Sequence, residues 1–181
     1  MQTHELIAHH SHPPSALQAV SVSLVGFDHG WLQLRWKLAG SDKLVIPDFA
    51  GRGRADGLWQ TSCFEIFLRP LGGDGAYCEF NLSPSEQWNA YDFSGHRAGM
   101  TERPVTRAPV ASLRRGGQMA IFDAAIPLAA LPDLPAEVGL TCVLEEEGGV
   151  KSYWALAHGE GPADFHDAAC FRARLGPPNK P

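Results

Sequence analysis

The chain has 181 residues, 44% of them hydrophobic and 19% charged, with a formal net charge of -5. That length fits one domain with a self-sufficient core, and the composition excludes an intrinsically disordered chain. The acidic balance argues against a phosphate-backbone binder, which would carry a basic face, so no nucleic-acid partner is expected.

Residues 1–16 carry His4, His9, His10 and His12 and read as a flexible leader. The leader lacks the basic and apolar regions of a signal peptide, and no run of 18 apolar residues follows. The expectation is a cytoplasmic protein with no membrane partner. The rest, residues 17–175, reads as one domain, and 176–181 as a flexible tail. Period-two runs at 19–25 and 30–38 flank the turn Phe27-Asp28-His29-Gly30, which predicts a hairpin. A short run at 43–46 follows, then a Gly-rich loop at 51–57. Next come two alternating runs around Leu71-Gly72-Gly73-Asp74-Gly75, and a run at 87–93. Runs at 105–113 and 118–126 flank Arg115-Gly116-Gly117, and 140–144, 152–156 and 169–175 complete the series. Helix is confined to about one turn at 127–131, between prolines. About ten short strands separated by turns predict an all-β fold, a β-sandwich of two antiparallel sheets with one or two short helices. The acidic run Glu145 to Glu147 reads as a solvated hairpin tip, and the arginines at 52, 54, 103, 107, 114 and 115 as scattered and solvated.

The hairpin over residues 58–83 is the most informative segment. Strand side chains alternate between faces. Phe64, Ile66, Leu68, Cys78, Phe80 and Leu82 therefore share an apolar face, and Trp59, Glu65, Glu79 and Asn81 share the other. Glu65 lies opposite either Glu79 or Asn81, and close carboxylates raise each other's pKa. Such a set can hydrogen-bond sugar hydroxyls or perform acid–base work, with Arg35 or Arg97 as the basic partner. Trp59, Trp88, Tyr91 and Trp154 are candidates to cover a sugar ring, whose C–H face stacks on aromatic rings. His158 and His166 bracket a loop at one end of the fold. No four-ligand zinc set can be assembled and no CxxC or CxxCH motif occurs, so no metal or cofactor is assigned. A haem would need an axial pair such as histidine with Met100. The G-x-S-x-G and G-x-G-x-x-G motifs are absent, and no catalytic residue is assigned. Cys63 and Cys78 fall on opposite faces, which argues against a disulfide between them.

These residues resemble the DOMON-like superfamily, in particular domains related to family-9 carbohydrate-binding modules, over roughly residues 17–175. The resemblance rests on Trp59 followed by Cys63-Phe-Glu65-Ile-Phe67-Leu68, then Tyr77-Cys-Glu79-Phe-Asn81-Leu-Ser-Pro84. It continues through Trp88-Asn-Ala-Tyr91, Ala124-Ala-Ile-Pro127, Trp154-Ala-Leu-Ala-His158 and Phe165-His166. It implies a two-sheet sandwich and a ligand, either a sugar held by aromatic and polar side chains or a haem. The leading expectation is a non-catalytic domain binding a small polar ligand, a sugar or sugar-containing metabolite, through Trp59, Glu65, Glu79, Asn81, Trp88, Tyr91, Trp154 and His166. The alternatives are a glycoside-processing enzyme using Glu65 and Glu79, and a haem-binding or electron-transfer domain.

Overall fold

The computed structural model describes residues 1–178. It is all-β, with twelve strands and only single 3-10 turns for helix. In chain order the strands are β1 (Gln2–Ala8), β2 (Ala19–Asp28), β3 (Trp31–Ala39), β4 (Cys63–Pro70), β5 (Tyr77–Leu82) and β6 (Trp88–Phe93). They continue with β7 (Thr101–Glu102), β8 (Val110–Gly116), β9 (Met119–Pro127), β10 (Ala136–Glu146), β11 (Val150–Ala155) and β12 (Phe171–Leu175). The alternating runs become strands because their apolar side chains repeat every second residue, which is the period of the pleat.

All pairings are antiparallel, in the order β7-β6-β5-β4-β10-β11-β1-β2-β3-β9-β8, with β12 also on β10. The two separate sheets expected from the sequence are therefore corrected to one continuous sheet that curls over its own core. The continuity is made by β1. Its residues Gln2 to Leu6 pair with β2, and Ile7 and Ala8 pair with β11. The flexible-leader reading fails for the same segment. His9 is also buried, its amide donating to the Tyr153 carbonyl at 2.8 Å. The tail expected at 176–181 lies partly outside the described residues.

The apolar faces of the two halves of the sheet meet in one core. Phe64 of β4 stacks on Phe122 of β9 at 4.0 Å between centroids, and Trp36 of β3 lies 5.5 Å from Phe64. Ile66, Leu68, Cys78, Phe80 and Leu82 join this core. The run at 43–46 is not a strand; Leu44 makes a lone bridge to Glu146. The four cysteines are buried and free.

Two polar assignments are also corrected. Glu146 is not part of a solvated tip but fully buried. Its carboxylate accepts the backbone N–H groups of Ser15, Ala16 and Leu17 at 2.6, 2.5 and 3.0 Å. Several arginines are packed rather than free. Arg54 lies over the Trp88 ring at 4.3 Å and Arg107 over Trp31 at 4.1 Å, each a cation–π contact.

Gly40 closes the turn after β3 with φ +76, and an added Cβ would sit 2.4 Å from the backbone oxygen of Ala16. Neither the left-handed conformation nor a rigid backbone neighbour can accommodate a side chain cheaply. Gly40→Ala is therefore expected to cost about 2–3 kcal/mol. Equal thermal melting of the variant and the native protein would refute this.

Candidate functional site

The face of β4, β5, β6, β10 and β11 that turns away from the core carries two cross-strand rows. One row runs Asn89–Asn81–Glu65–Thr141–Ala155, directly opposite one another on successive strands. The neighbouring row runs Tyr91–Glu79–Phe67–Gly139. Glu65 thus faces Asn81, and Glu79 is its diagonal neighbour. This sheet face is not solvated. The loop between β11 and β12 returns over it and lays Phe165 and His166 onto Phe67, Tyr77 and Phe93.

A cleft of about 270 Å³ opens between this face and that loop. Its floor is Glu65 and Glu79, and Trp59, Phe93, Tyr153 and Phe165 form its aromatic walls. Arg97, His166 and Met100 also reach it. Trp59 is set in a 3-10 turn, Leu58–Gln60, rather than in a strand, and is 40% exposed. Its ring meets Tyr91 edge-on at 6.2 Å. Tyr91 stands behind it, its hydroxyl donating to Asp56 Oδ1 at 2.5 Å and accepting from Asn89 Nδ2 at 2.9 Å.

The two carboxyls are deeply buried, with Glu65 2% and Glu79 6% exposed. Burial pushes the Glu65 carboxyl well above the carboxylate range and the charge of Glu79 adds to the rise, while a 3.3 Å bond from Thr141 Oγ1 opposes it. Burial raises Glu79 to about 7, with Asn81 and Arg97 acting in the opposite sense. Asn81 is fully buried, and although it lies close enough to favour the charged form of Glu79, neither amide atom makes a hydrogen bond of ordinary geometry. Such orphaned amide atoms are uncommon inside proteins and mark a place where a partner belongs.

His166 is fixed from behind. The Arg97 N–H donates to the Tyr77 hydroxyl at 3.2 Å, and that hydroxyl lies 2.8 Å from His166 Nδ1. The hydroxyl, already accepting from Arg97, is placed to donate its own proton to Nδ1; in that tautomer the ring N–H is on Nε2, 3.7 Å from Glu79. Burial, aided by the charge of Arg97, lowers His166 to about 4, so the ring is neutral at physiological pH. Arg97 is itself engaged, with Nε and Nη2 donating to Asp164 Oδ1 at 3.0 and 2.8 Å. Burial works to raise Asp164, but Arg97, His96 and the His166 N–H outweigh it and bring the carboxyl to about 2.

Of the sequence-derived candidates, the fold gathers Trp59, Glu65, Glu79 and His166 at the cleft, with Asn81 and Tyr91 on the same face beside it. Two are corrected. Trp88 and Trp154 lie in the core on the opposite face, where Trp154 Nε1 donates to Ser152 at 2.8 Å. Their parity decides this, because Trp88 pairs with Leu82 and Trp154 with Cys142, both core-facing. Of the two expected basic partners, Arg97 reaches the cleft and Arg35 does not, being paired with Asp123 at 2.5 Å in the other half of the sheet. Phe93 was discoverable, since it shares the parity of Tyr91. Tyr153 and Phe165 had no local signal, because only long-range pairing and the returning loop bring them to Glu65.

No protein-family model matches this chain, and no curated protein matches it. Among solved structures it is similar to a protein from Bacteroides uniformis that has been proposed to bind carbohydrate. The two are 14% identical, with a TM-score of 0.64 over 97% of this chain and 85% of that one. The likeness shows a shared fold. Among the described residues no helix is long and apolar enough to cross a membrane, and no cluster of three or more His, Cys, Asp or Glu is placed to hold a metal ion.

A haem does not fit the cleft. Met100 and His166 both line it, but His166 Nδ1 is occupied by Tyr77 and its Nε2 is directed at Glu79. The 270 Å³ space lies below the roughly 300–1,000 Å³ of sites for drug-sized ligands, and a porphyrin needs more, not less.

Proposed function

We propose that this chain is a non-catalytic binding domain for a single sugar ring or a small sugar-containing metabolite, of the DOMON-like type related to family-9 carbohydrate-binding modules. One observation carries the reading: a half-exposed indole, Trp59, stands over a sheet floor whose polar groups, Glu65 and Glu79, are buried without a full set of partners. An apolar ring face and an edge of hydroxyls need that combination. The proposed role of the Bacteroides uniformis protein of the same fold lends it further support. In this reading Trp59 stacks the ring, Glu65, Glu79 and Asn81 hydrogen-bond its hydroxyls, and His166 Nε2 donates from the side.

Calorimetry against a panel of monosaccharides tests the proposal. At least one should bind and quench Trp59 fluorescence, and Trp59→Ala should weaken it by tenfold or more, about 1.4 kcal/mol. A panel without a single binder would end the sugar reading.

A second reading, glycoside processing, is favoured by the elevated Glu65 and Glu79 pair, since one protonated and one ionised carboxyl is the equipment of a glycosidase. Release of nitrophenol from nitrophenyl glycosides, lost in Glu65→Gln, would establish it in place of the binding role.

A further inference from the structure

The charges at the cleft floor do not balance. Glu65 and Glu79 bring two acidic groups, and among the described residues that line the cleft the basic ones are Arg97 and His166. Arg97 lines the cleft, but two of its nitrogens donate to Asp164, so its charge is shared with that carboxylate and only partly offsets Glu65 and Glu79. His166 is neutral, fixed by the Tyr77 hydroxyl. His96 is paired with the same Asp164. Above the floor stand four aromatic rings, Trp59, Phe93, Tyr153 and Phe165. Rings around a carboxylate pair form a favourable enclosure for a positive charge, because the ring face is the negative end of its quadrupole. The fully buried Asn81, next to Glu65 across the strands and lacking partners at both amide atoms, adds an unused acceptor on the same face.

We infer that the occupant of this cleft presents a protonated amine to Glu65 and Glu79, so that the ligand class is an amino sugar rather than a neutral one. This rests on the sugar-binding reading above and narrows it. The ammonium supplies the charge the protein withholds, donating to the Glu79 carboxylate and to the carbonyl oxygen of Glu65, which keeps its proton, while its ring lies against Trp59. Without a ligand the floor holds protons in its place. Binding therefore expels a proton: the ammonium enters, Glu79 gives up its proton to solvent, and the charge at the floor is conserved.

The experiment is calorimetry on the full chain with glucosamine, glucose, N-acetylglucosamine and cyclohexylamine, at slightly acidic pH, where both amines are protonated. Each titration is run in two buffers of different ionisation enthalpy. Glucosamine is expected to bind at least tenfold more tightly than glucose and to release a proton to the buffer. In Glu79→Gln the preference should shrink to less than threefold and the proton release should vanish, with the variant's fold verified by its circular dichroism melt. Equal affinity for glucosamine, glucose and N-acetylglucosamine would overturn the amine inference and leave the sugar reading standing. Binding of cyclohexylamine alone would uphold the cation and remove the sugar. Binding of none of the four would overturn both.

Discussion

Replacing Glu146 by alanine should lower the unfolding free energy by about 4 kcal/mol, the largest effect expected of any single polar side chain in this fold. The carboxylate is completely buried between the start of β2 and the end of β10, and it is the common acceptor for three consecutive backbone N–H groups, Ser15, Ala16 and Leu17. Alanine would strand those donors, and each buried donor without a partner costs on the order of 1–3 kcal/mol, less where water can enter. Glu146→Gln keeps one oxygen for Ala16 and Leu17 but turns an NH₂ group toward Ser15, so about half the loss is expected. Urea unfolding measures both. An alanine variant with the native midpoint would show that the N–H groups find water instead.

The second large effect is a fall in stability as pH rises from about 4.5 to 7, caused by Glu79. Burial raises its carboxyl from the ordinary 4.5 to about 7. The folded protein keeps a proton that the unfolded chain releases, so the stabilisation is complete below 4.5 and is lost as pH climbs through 7. Glu65, raised in the same direction, continues the loss to higher pH. His166 acts in reverse. Its ring is lowered from 6.5 to about 4, so its contribution grows between those values and offsets one of the two carboxyls there. Asp164, lowered from 3.8 to about 2, acts only in stronger acid. The native protein should therefore lose stability steadily across this window, and Glu79→Gln, which imitates the protonated acid, should hold level up to about pH 6.5. At about pH 7.5 the variant should be the more stable by up to about 3 kcal/mol. Parallel pH profiles for the two proteins would refute the assignment.

The hairpin of β4 and β5 was legible in the sequence because its information is local. Alternation fixed which of Phe64, Glu65, Ile66, Glu79, Phe80 and Asn81 share a face, and the glycine turn joined the strands as a hairpin while leaving Glu65 opposite either Glu79 or Asn81; the structure places it opposite Asn81. The facing of Trp88 and Trp154 follows from the same alternation, but a bare tryptophan is equally at home in a core and at a ligand. Register with Leu82 and Cys142, both of which face the core, decides it. Strand β1 was hidden by its composition. Thr3, Glu5 and the histidines dilute the apolar signal, and only Leu6 is buried. Glu146 was misread for the opposite reason, because three acids before Gly148-Gly149 look alike, and only tertiary packing selects the one that is buried.

The position of β1 has a consequence for how the chain reaches this fold. Its Ile7 and Ala8 meet Ala155 and Trp154, strands separated by most of the sequence, while its other residues meet nearby β2. Contacts across so long a stretch of chain form late, because the loop they close costs entropy before the pairing repays it. During synthesis β1 can join β2 as soon as both have emerged, yet its second edge stays bare until β11 has left the ribosome. The seam of the curled sheet is thus the last to close, and an unpaired edge of that kind is where association between nascent copies begins.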